Sequence, residues 1–432
     1  MRRIGMLSFS SPGHFYPLTA LGRKLLSRGN EVVYFQVADL EAAIQAAGLE
    51  FQPIGRDDYP LGTLRRLDAE ISKLKGLTGL RCSIRRMVLG STMILRDAPA
   101  AIRAAKVDAL IVDQVEPAGG SVAEHLGLPF VSVALALPLN LEAGVPAVFF
   151  PWMHRLGRVA QLRNRLGNAL LRKIGSAVLR TINQQRRAWG LAEVENSNQL
   201  FSKLAQVVQL PAALELPGRH LPPEFHHTGP WTDAAARSPV AFPWERLDPA
   251  RRLVYVSMGT LQNGNPRPFQ VIAEACDGLG LQLVISLGGG MDSTALGVLP
   301  GDPIVVGYAP QLDLIRRSTL TISHGGLNTV LESLESGVPM VVLPVTNDQP
   351  GVGTRVEWSG VGRSIPIGRL TVRSLHAAVR EVLGNPTYRE RAKAIQASIE
   401  AADGLNRAAD LIEEAFQRAG ELSSSRVRET TT

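Results

Sequence analysis

His14 sits in the run Ser11-Pro12-Gly13-His14-Phe15-Tyr16-Pro17, directly after a short apolar stretch. An imidazole titrates near neutrality, so it can take a proton from a hydroxyl; a lone histidine can equally serve structure. Asp113 ends a second apolar run, Ala109-Leu110-Ile111-Val112-Asp113, where by itself it reads as a helix cap or a turn residue. The densest chemistry lies in 308–351. There Leu320-Thr321-Ile322-Ser323 leads into His324-Gly325-Gly326, a turn with two residues lacking Cβ, so a ligand can approach the backbone. Apolar residues at 327, 330, 331 and 334 then have helical spacing. Free N–H groups and the positive dipole end at such a helix start suit a diphosphate, with Asn328 and Thr329 in the first turn. Glu332 lies four residues after Asn328, on the same face, where a carboxylate can accept hydrogen bonds from a ribose diol. Asp348 and Gln349 follow the next apolar run. Ser257-Met258-Gly259-Thr260 follows another, offering backbone N–H groups and the Thr260 hydroxyl to a phosphate.

These residues need a scaffold that brings strand ends together. Strands are expected at 4–9, 31–36, 107–113 and 129–134, with helices at 18–28, 98–105 and 121–126 and a loop at 10–14. A second series has strands at 253–257, 282–287, 304–306, 320–323 and 340–345, and helices at 269–279, 327–336, 375–383 and 388–416. Alternating β and α units imply an α/β fold with parallel sheets covered by helices on both faces. Every candidate residue then falls at the carboxyl end of a strand, where open parallel sheets bind ligands. The proline-rich stretch 211–249 reads as a connector. The division is 1–215 as a first Rossmann-like domain, 216–248 as linker and 249–395 as a second domain. A helix at 396–420 returns to the first domain, and 421–432 is a disordered polar tail.

A chain of 432 residues fits two domains. Its two cysteines, Cys82 and Cys276, form neither a disulfide framework nor a zinc signature, which favours a reducing cytoplasm. The apolar run 4–9 is too short for a signal-peptide core, and 131–152 is broken by three prolines, Asn140 and Glu142, so neither reads as a targeting or membrane-spanning segment. The net charge of +7 is unevenly placed. No Asp or Glu occurs in 143–192, while Arg155, Arg158, Arg163, Arg165, Arg172, Lys173, Arg180, Arg186 and Arg187 do. Apolar residues at 156, 159, 162, 166, 170, 174, 178 and 182 interleave at near-helical spacing. Two readings stay open for 151–190: an amphipathic helix with a solvated basic face, or a surface that attracts anionic lipid headgroups or an acidic partner. No nucleic-acid motif accompanies the charge, so nucleic acid is not an expected partner.

The order aromatic-x-Pro-Gln, His-Gly-Gly, Asn-Thr-x-x-Glu, Gly-Val-Pro and Asp-Gln across 308–351 resembles the donor signature of GT-B glycosyltransferases that use UDP-sugars. Gly13-His14-Phe15-Tyr16-Pro17 matches the GHxxP turn that carries that family's catalytic base. The resemblance implies a GT-B fold, two facing Rossmann-like domains around an interdomain cleft. It implies that Asp113 holds the far nitrogen of His14, fixing its tautomer. Tyr308 would stack on uracil and Gln311 would contact the nucleoside. His324, Gly325, Gly326, Asn328 and Thr329 would hold the diphosphate, as would the loop of Ser257, Gly259 and Thr260. Glu332 would bind ribose, and Asp348 and Gln349 sugar hydroxyls. Tyr308, Leu327 and Pro350 depart from the plant form of the signature and place the chain in a bacterial branch.

The implied reaction is an inverting, in-line transfer from a UDP-sugar, glucose foremost, to a hydroxyl of a hydrophobic acceptor. No Asp-x-Asp occurs in the chain, so no metal and no other cofactor is expected. The runs 113–124 and 348–352 are similar to zeaxanthin glucosyltransferases, which implies a hydroxylated carotenoid as acceptor. Phenols, flavonoids and macrolide-type aglycones stay open, because the acceptor pocket has no transferable code. Rivals are a non-catalytic nucleotide-binding relative and a UDP-sugar epimerase of similar architecture. A hydride-transfer enzyme is disfavoured, since neither βα turn has GxGxxG.

Overall fold

The computed structural model describes residues 1–64, 66–67, 76–237, 239–260 and 263–429. The first sheet has the order β3-β2-β1-β4-β5-β6-β7. Its strands are β1 (Arg3–Leu7), β2 (Glu31–Gln36), β3 (Glu50–Pro53), β4 (Ala109–Asp113), β5 (Phe130–Ala134), β6 (Gln206–Val208) and β7 (Phe225–His227). The second runs β10-β9-β8-β11-β12-β13. It is built from β8 (Arg252–Ser257), β9 (Leu281–Ser286), β10 (Ile304–Val306), β11 (Leu320–Ser323), β12 (Met340–Val342) and β13 (Gly362–Ser364). Neighbours pair in parallel throughout both sheets. The central strands are buried on both faces, as β4 (Ala-Leu-Ile-Val-Asp) is at every residue, so their sequences run apolar without alternation.

The helices are α1 (Pro12–Ser27), α2 (Glu41–Ala46), α3 (Gly76–Ala105), α4 (Gly119–Leu126), α5 (Arg158–Ala188), α6 (Pro266–Cys276), α7 (Gln311–Arg317), α8 (Leu327–Glu335), α9 (Gln349–Ser359), α10 (Val372–Gly384), α11 (Thr387–Ala402) and α12 (Gly404–Glu429). The last crosses back onto the first sheet. Its Ala408, Ile412, Ala415 and Phe416 share a core with Ile4, Met6, Leu18 and Leu21. Each such large side chain contributes about 1.5–3 kcal/mol relative to exposure. Arg28 fixes the docking through Asp410 at 2.5 Å and Glu413 at 3.0 Å.

Several elements differ from the sequence reading. His14 lies not in a loop but in the first turn of α1, which starts at Pro12; a fixed φ suits a helix start. The expected linker 216–248 contains β7, which completes the first sheet through Phe225, paired with Gln206. Three-residue strands such as β6, β7 and β13 leave too short a pattern to read. The expected helix 388–416 breaks at Asp403, which adopts φ +45°, giving α11 and α12. Helix α12 continues to Glu429, through most of the segment expected as a disordered tail; 430–432 lie outside the described residues. Among the described residues no helix is long and apolar enough to cross a membrane.

Candidate active site

In each sheet the strand order reverses at one place, between β1 and β4 and between β8 and β11. Carboxyl ends at such a switch point leave a crevice. The two crevices face each other across one cleft of about 3000 Å³, lined by both halves. A single drug-sized ligand needs roughly 300–1,000 Å³, so this space holds two substrates together. His14, Ser257, Gly259, Thr260, Tyr308, Gln311, His324, Gly326, Asn328, Thr329, Glu332, Asp348 and Gln349 all line it. Asp113 and Gly325 do not; they stand behind the lining.

Asp113 is fully buried at the end of β4. Its Oδ2 lies 2.7 Å from Nδ1 of His14. The same oxygen accepts from the Phe9 N–H at 3.3 Å, and Oδ1 from the Val115 N–H at 3.1 Å, so the carboxylate is fixed in orientation. A donating Nδ1–H leaves Nε2 of His14 with its lone pair, the tautomer a base needs. Burial opposes a charged His14, but the Asp113 charge and hydrogen bond, aided by Asp348, outweigh it; the pKa is raised above its ordinary value. Asp348 sits at the start of α9, where burial raises its carboxyl against the Leu137 N–H, which donates to Oδ2 at 3.0 Å, and against His14. A third buried carboxyl, Glu116, is pushed up to about 8 by burial and by Asp113.

The opposite wall is a cradle around His324. Gly259 (φ +75°) and Gly326 flank its ring; a Cβ on either would fall 2.6 Å from Cε1 or 2.5 Å from Nε2. The ring therefore leaves no room for a Cβ at either glycine unless it shifts. Nδ1 of His324 is buried without a hydrogen-bond partner, and burial drives the imidazole down to about 4. A neutral ring whose N–H lies on Nε2, the nitrogen not shut away, can donate to an oxyanion. Beside it, α8 begins after Gly326 without a side-chain cap, so its first N–H groups keep their donors. Gly325, at φ +80°, makes the turn, and its N–H goes to Ser323 Oγ at 3.2 Å.

Further along α8, Glu332 is nearly fully buried, with Oε2 accepting from Gln311 Nε2 at 2.5 Å and Oε1 from Arg237. Gln311 accepts in turn from the Tyr255 hydroxyl at 2.9 Å. Asn328 bridges the halves, donating to the Gly13 carbonyl at 2.8 Å and accepting from Gln209 at 2.9 Å. Gln349 folds its carbonyl onto the N–H groups of Val345 and Thr346, at 2.8 and 2.9 Å, which shapes the loop before Asp348. Tyr308 is 59% exposed to the cleft, its hydroxyl lodged where a Cβ on Gly289 would stand. Among the described residues no cluster of three or more His, Cys, Asp or Glu is arranged to hold a metal.

Sequence reasoning missed Arg237, Tyr255, Gln209 and Asn263. Asn263 donates to the carbonyls of Gly259 at 2.8 Å and Gly288 at 2.9 Å, tying two cleft loops together. Arg237, Gln209 and Asn263 come from three different connections and Tyr255 from within β8, and none carries a local signature. On the first-half side the wall sets apolar residues, Leu135, Leu139, Val145, Val148, Phe149 and, from α5, Leu171, Ile174 and Val178, among polar ones such as Gln114, Asn140, Glu142 and Arg172.

The family profile described as UDP-glucoronosyl and UDP-glucosyl transferase matches residues 82–401. A zeaxanthin glucosyltransferase of Pantoea ananas is 33% identical over 404 residues, covering 93% of each chain. The 4'-demethylrebeccamycin synthase of Lentzea aerocolonigenes is 27% identical, covering 95% of this chain and 99% of that one. Among solved structures, the kitacinnamycin glycotransferase superposes with a TM-score of 0.77 at 24% identity, covering 96% of this chain and 99% of the other. The calicheamicin glycosyltransferase superposes at 0.73, with 22% identity, covering 97% and 99%. The two-sheet architecture is thus the GT-B fold of glycosyltransferases.

Proposed function

The chain belongs to the family of UDP-glucoronosyl and UDP-glucosyl transferases, and from that premise we propose an inverting transfer of glucose from UDP-glucose to a hydroxyl of a hydrophobic acceptor. The observation that carries the reading is the His14–Asp113 pair facing the His324 cradle across one cleft. Nε2 of His14 takes the acceptor's O–H proton. The oxygen attacks the anomeric carbon from the face opposite the diphosphate, a C–O bond forms, and UDP leaves with the electron pair of the broken bond. Asp113 holds the imidazolium that results.

Leaving-group charge meets the N–H groups at the start of α8, His324 and the loop of Ser257, Gly259 and Thr260. These donors let the transfer run without a metal ion, so turnover would survive a chelator. Tyr308 stacks on uracil, Gln311 and Glu332 hold the nucleoside, and Asp348 and Gln349 meet the sugar.

The acceptor reading is a hydroxylated carotenoid such as zeaxanthin. It rests on the identity to the Pantoea enzyme and on a long, largely apolar cleft wall. Such an acceptor lives in lipid, so peripheral contact of 151–190 with an anionic membrane belongs to the same reading. Free Cys82 and Cys276 suit the reducing cytoplasm. A second reading, glucosylation of phenolic or macrolide-type aglycones, is favoured by the cleft's volume alone.

Product mass spectrometry with UDP-glucose and a panel spanning zeaxanthin and small phenols tests both. A hexose mass gain on the carotenoid supports the first reading; gain on phenols alone favours the second. UDP release without acceptor dependence would sink transfer altogether.

A further inference from the structure

The first half of helix α5, as far as Leu170, is apolar on the side that faces away from the protein, whereas Val178 and Ile182 of its second half are buried in the core. That first half packs through small and polar residues instead. Ala160, Asn164, Gly167 and Asn168 are buried, Gly167 lies where a Cβ would stand 2.7 Å from the Trp152 ring, and Asn164 and Asn168 donate to the carbonyls of Ala143 and Glu142 at 3.0 and 2.8 Å. Val159, Leu162, Leu166 and Leu170, spaced three and four apart, are left 85%, 57%, 64% and 49% exposed, and Leu156 just before the helix is 70% exposed. At about 100° per residue these leucines form one stripe, with Arg158, Arg165 and Arg172 along one edge of it. Arg155, Arg158, Arg165, Arg172 and Lys173 are all exposed, and among the described residues none has a salt bridge. No acidic residue lies anywhere in 143–192.

A row of exposed leucines edged by unpaired cations fits the interface of an anionic bilayer: the leucines enter the acyl boundary and the cations meet phosphates. Monomeric soluble proteins rarely leave such a stripe exposed. The stripe also has a direction. It ends at Leu170, and from Asn168 onward the same helix lines the cleft, with Leu171, Ile174, Val178 and Ile182 interleaved with Arg172 and Arg180. Phe149, 42% exposed, is on the cleft wall as well.

We propose that the first half of α5, through Leu156, Val159, Leu162, Leu166 and Leu170, docks on an anionic lipid surface and delivers a lipid-borne acceptor sideways into the cleft that the second half of α5 walls. The delivery rests on the carotenoid-like acceptor reading; the docking does not. The helix then acts as a ramp: the acceptor's hydrocarbon body leaves the bilayer along its apolar row, which continues at every fourth residue through Leu162, Leu166, Leu170, Ile174, Val178 and Ile182.

The test uses the full chain, with phosphatidylcholine vesicles with and without phosphatidylglycerol. The chain should co-float with the anionic vesicles and not with the neutral ones, and binding should weaken as salt rises. The variant Leu162→Gln/Leu166→Gln should lose vesicle binding by more than about tenfold. Arg158→Gln/Arg165→Gln should lose the preference for anionic lipid. Neither pair lines the cleft, so turnover of a water-soluble phenol should stay unchanged in both, while turnover of a hydroxylated carotenoid carried in vesicles should fall. Absence of co-flotation, or co-flotation that Leu162→Gln/Leu166→Gln leaves intact, overturns the docking. A dimer in solution that this variant dissolves also overturns it, by assigning the stripe to a second copy. Vesicle binding that follows these variants, without carotenoid turnover, keeps the docking and overturns the delivery together with the acceptor reading.

Discussion

Nδ1 of His14 and Oδ2 of Asp113 stand 2.7 Å apart although 99 residues separate them in sequence. The contact exists because β1 and β4 are neighbours in the sheet and both end at the same crevice. Loss of the base should cost turnover without costing donor affinity. His14→Ala is expected to lose at least about 10² in turnover while UDP binding persists. Near-normal turnover would remove His14 from the chemistry.

The same pair sets a pH profile. The base works only when neutral, and its pKa is raised above 6.5, so turnover should fall as pH drops through that raised value. Asp113→Asn removes both the charge and the carboxylate acceptor that raise it. The acidic limb should therefore move to lower pH, with a smaller loss at the optimum than in His14→Ala. A limb that stays in place would mean another group titrates there.

Gly259 has no room for a methyl group. A Cβ would fall 2.6 Å from the His324 ring at φ +75°, so the ring would have to shift, and Gly326 also stands close to it. Gly259→Ala should displace His324 and raise the donor KM by on the order of tenfold or more, given how steeply misplacement costs. An unchanged donor KM would show that His324 does not touch the donor.

Glu332 offers a sharper choice. Its carboxylate is held by Arg237 and by Gln311. If it also takes the ribose, Glu332→Ala should weaken UDP binding by about 1.5–3 kcal/mol, the worth of a charge-assisted bond. If it only braces Arg237, the melting temperature should fall while UDP affinity, read by calorimetry, holds.

Much of this site was legible because its residues come in runs. His324-Gly325-Gly326, Asn328 and Glu332 share one strand-turn-helix unit, so spacing alone put them on one wall. Arg237 was not legible: it reaches Glu332 from a connector 95 residues away. Asn263 ties two glycine loops by a contact that only the folded sheets create. The apolar period of α5 was legible, but its direction was not. Periodicity says that one face is apolar, and burial goes to whichever face fits the neighbour; here Gly167 beside the Trp152 ring packs more closely than a leucine could.

The last prediction concerns what holds the halves at the working distance. Arg355, on α9 of the second half, donates to Glu215 of the first at 2.5 Å, and Arg219 meets the same carboxylate at 2.9 Å. Both Arg355 and Glu215 are buried within a network that also takes in Glu142 through Arg219. Burial would raise Glu215, but the two guanidinium groups win and hold it at about 2. An unfolded glutamate titrates near 4.3, so this contribution is full above about pH 4.3 and is lost as pH falls from there toward 2. Breaking a buried pair by removing one partner costs about 3–5 kcal/mol. Arg219 still faces Glu215 when Arg355 is gone, so Arg355→Ala should sit at the low end, about 3 kcal/mol, in denaturant unfolding. The variant should also lose part of the drop in stability between pH 4 and 2, because its Glu215 starts from a higher pKa. A normal acid profile in Arg355→Ala would mean that Arg219 alone sets the carboxylate and that the contact between the halves contributes nothing at this point.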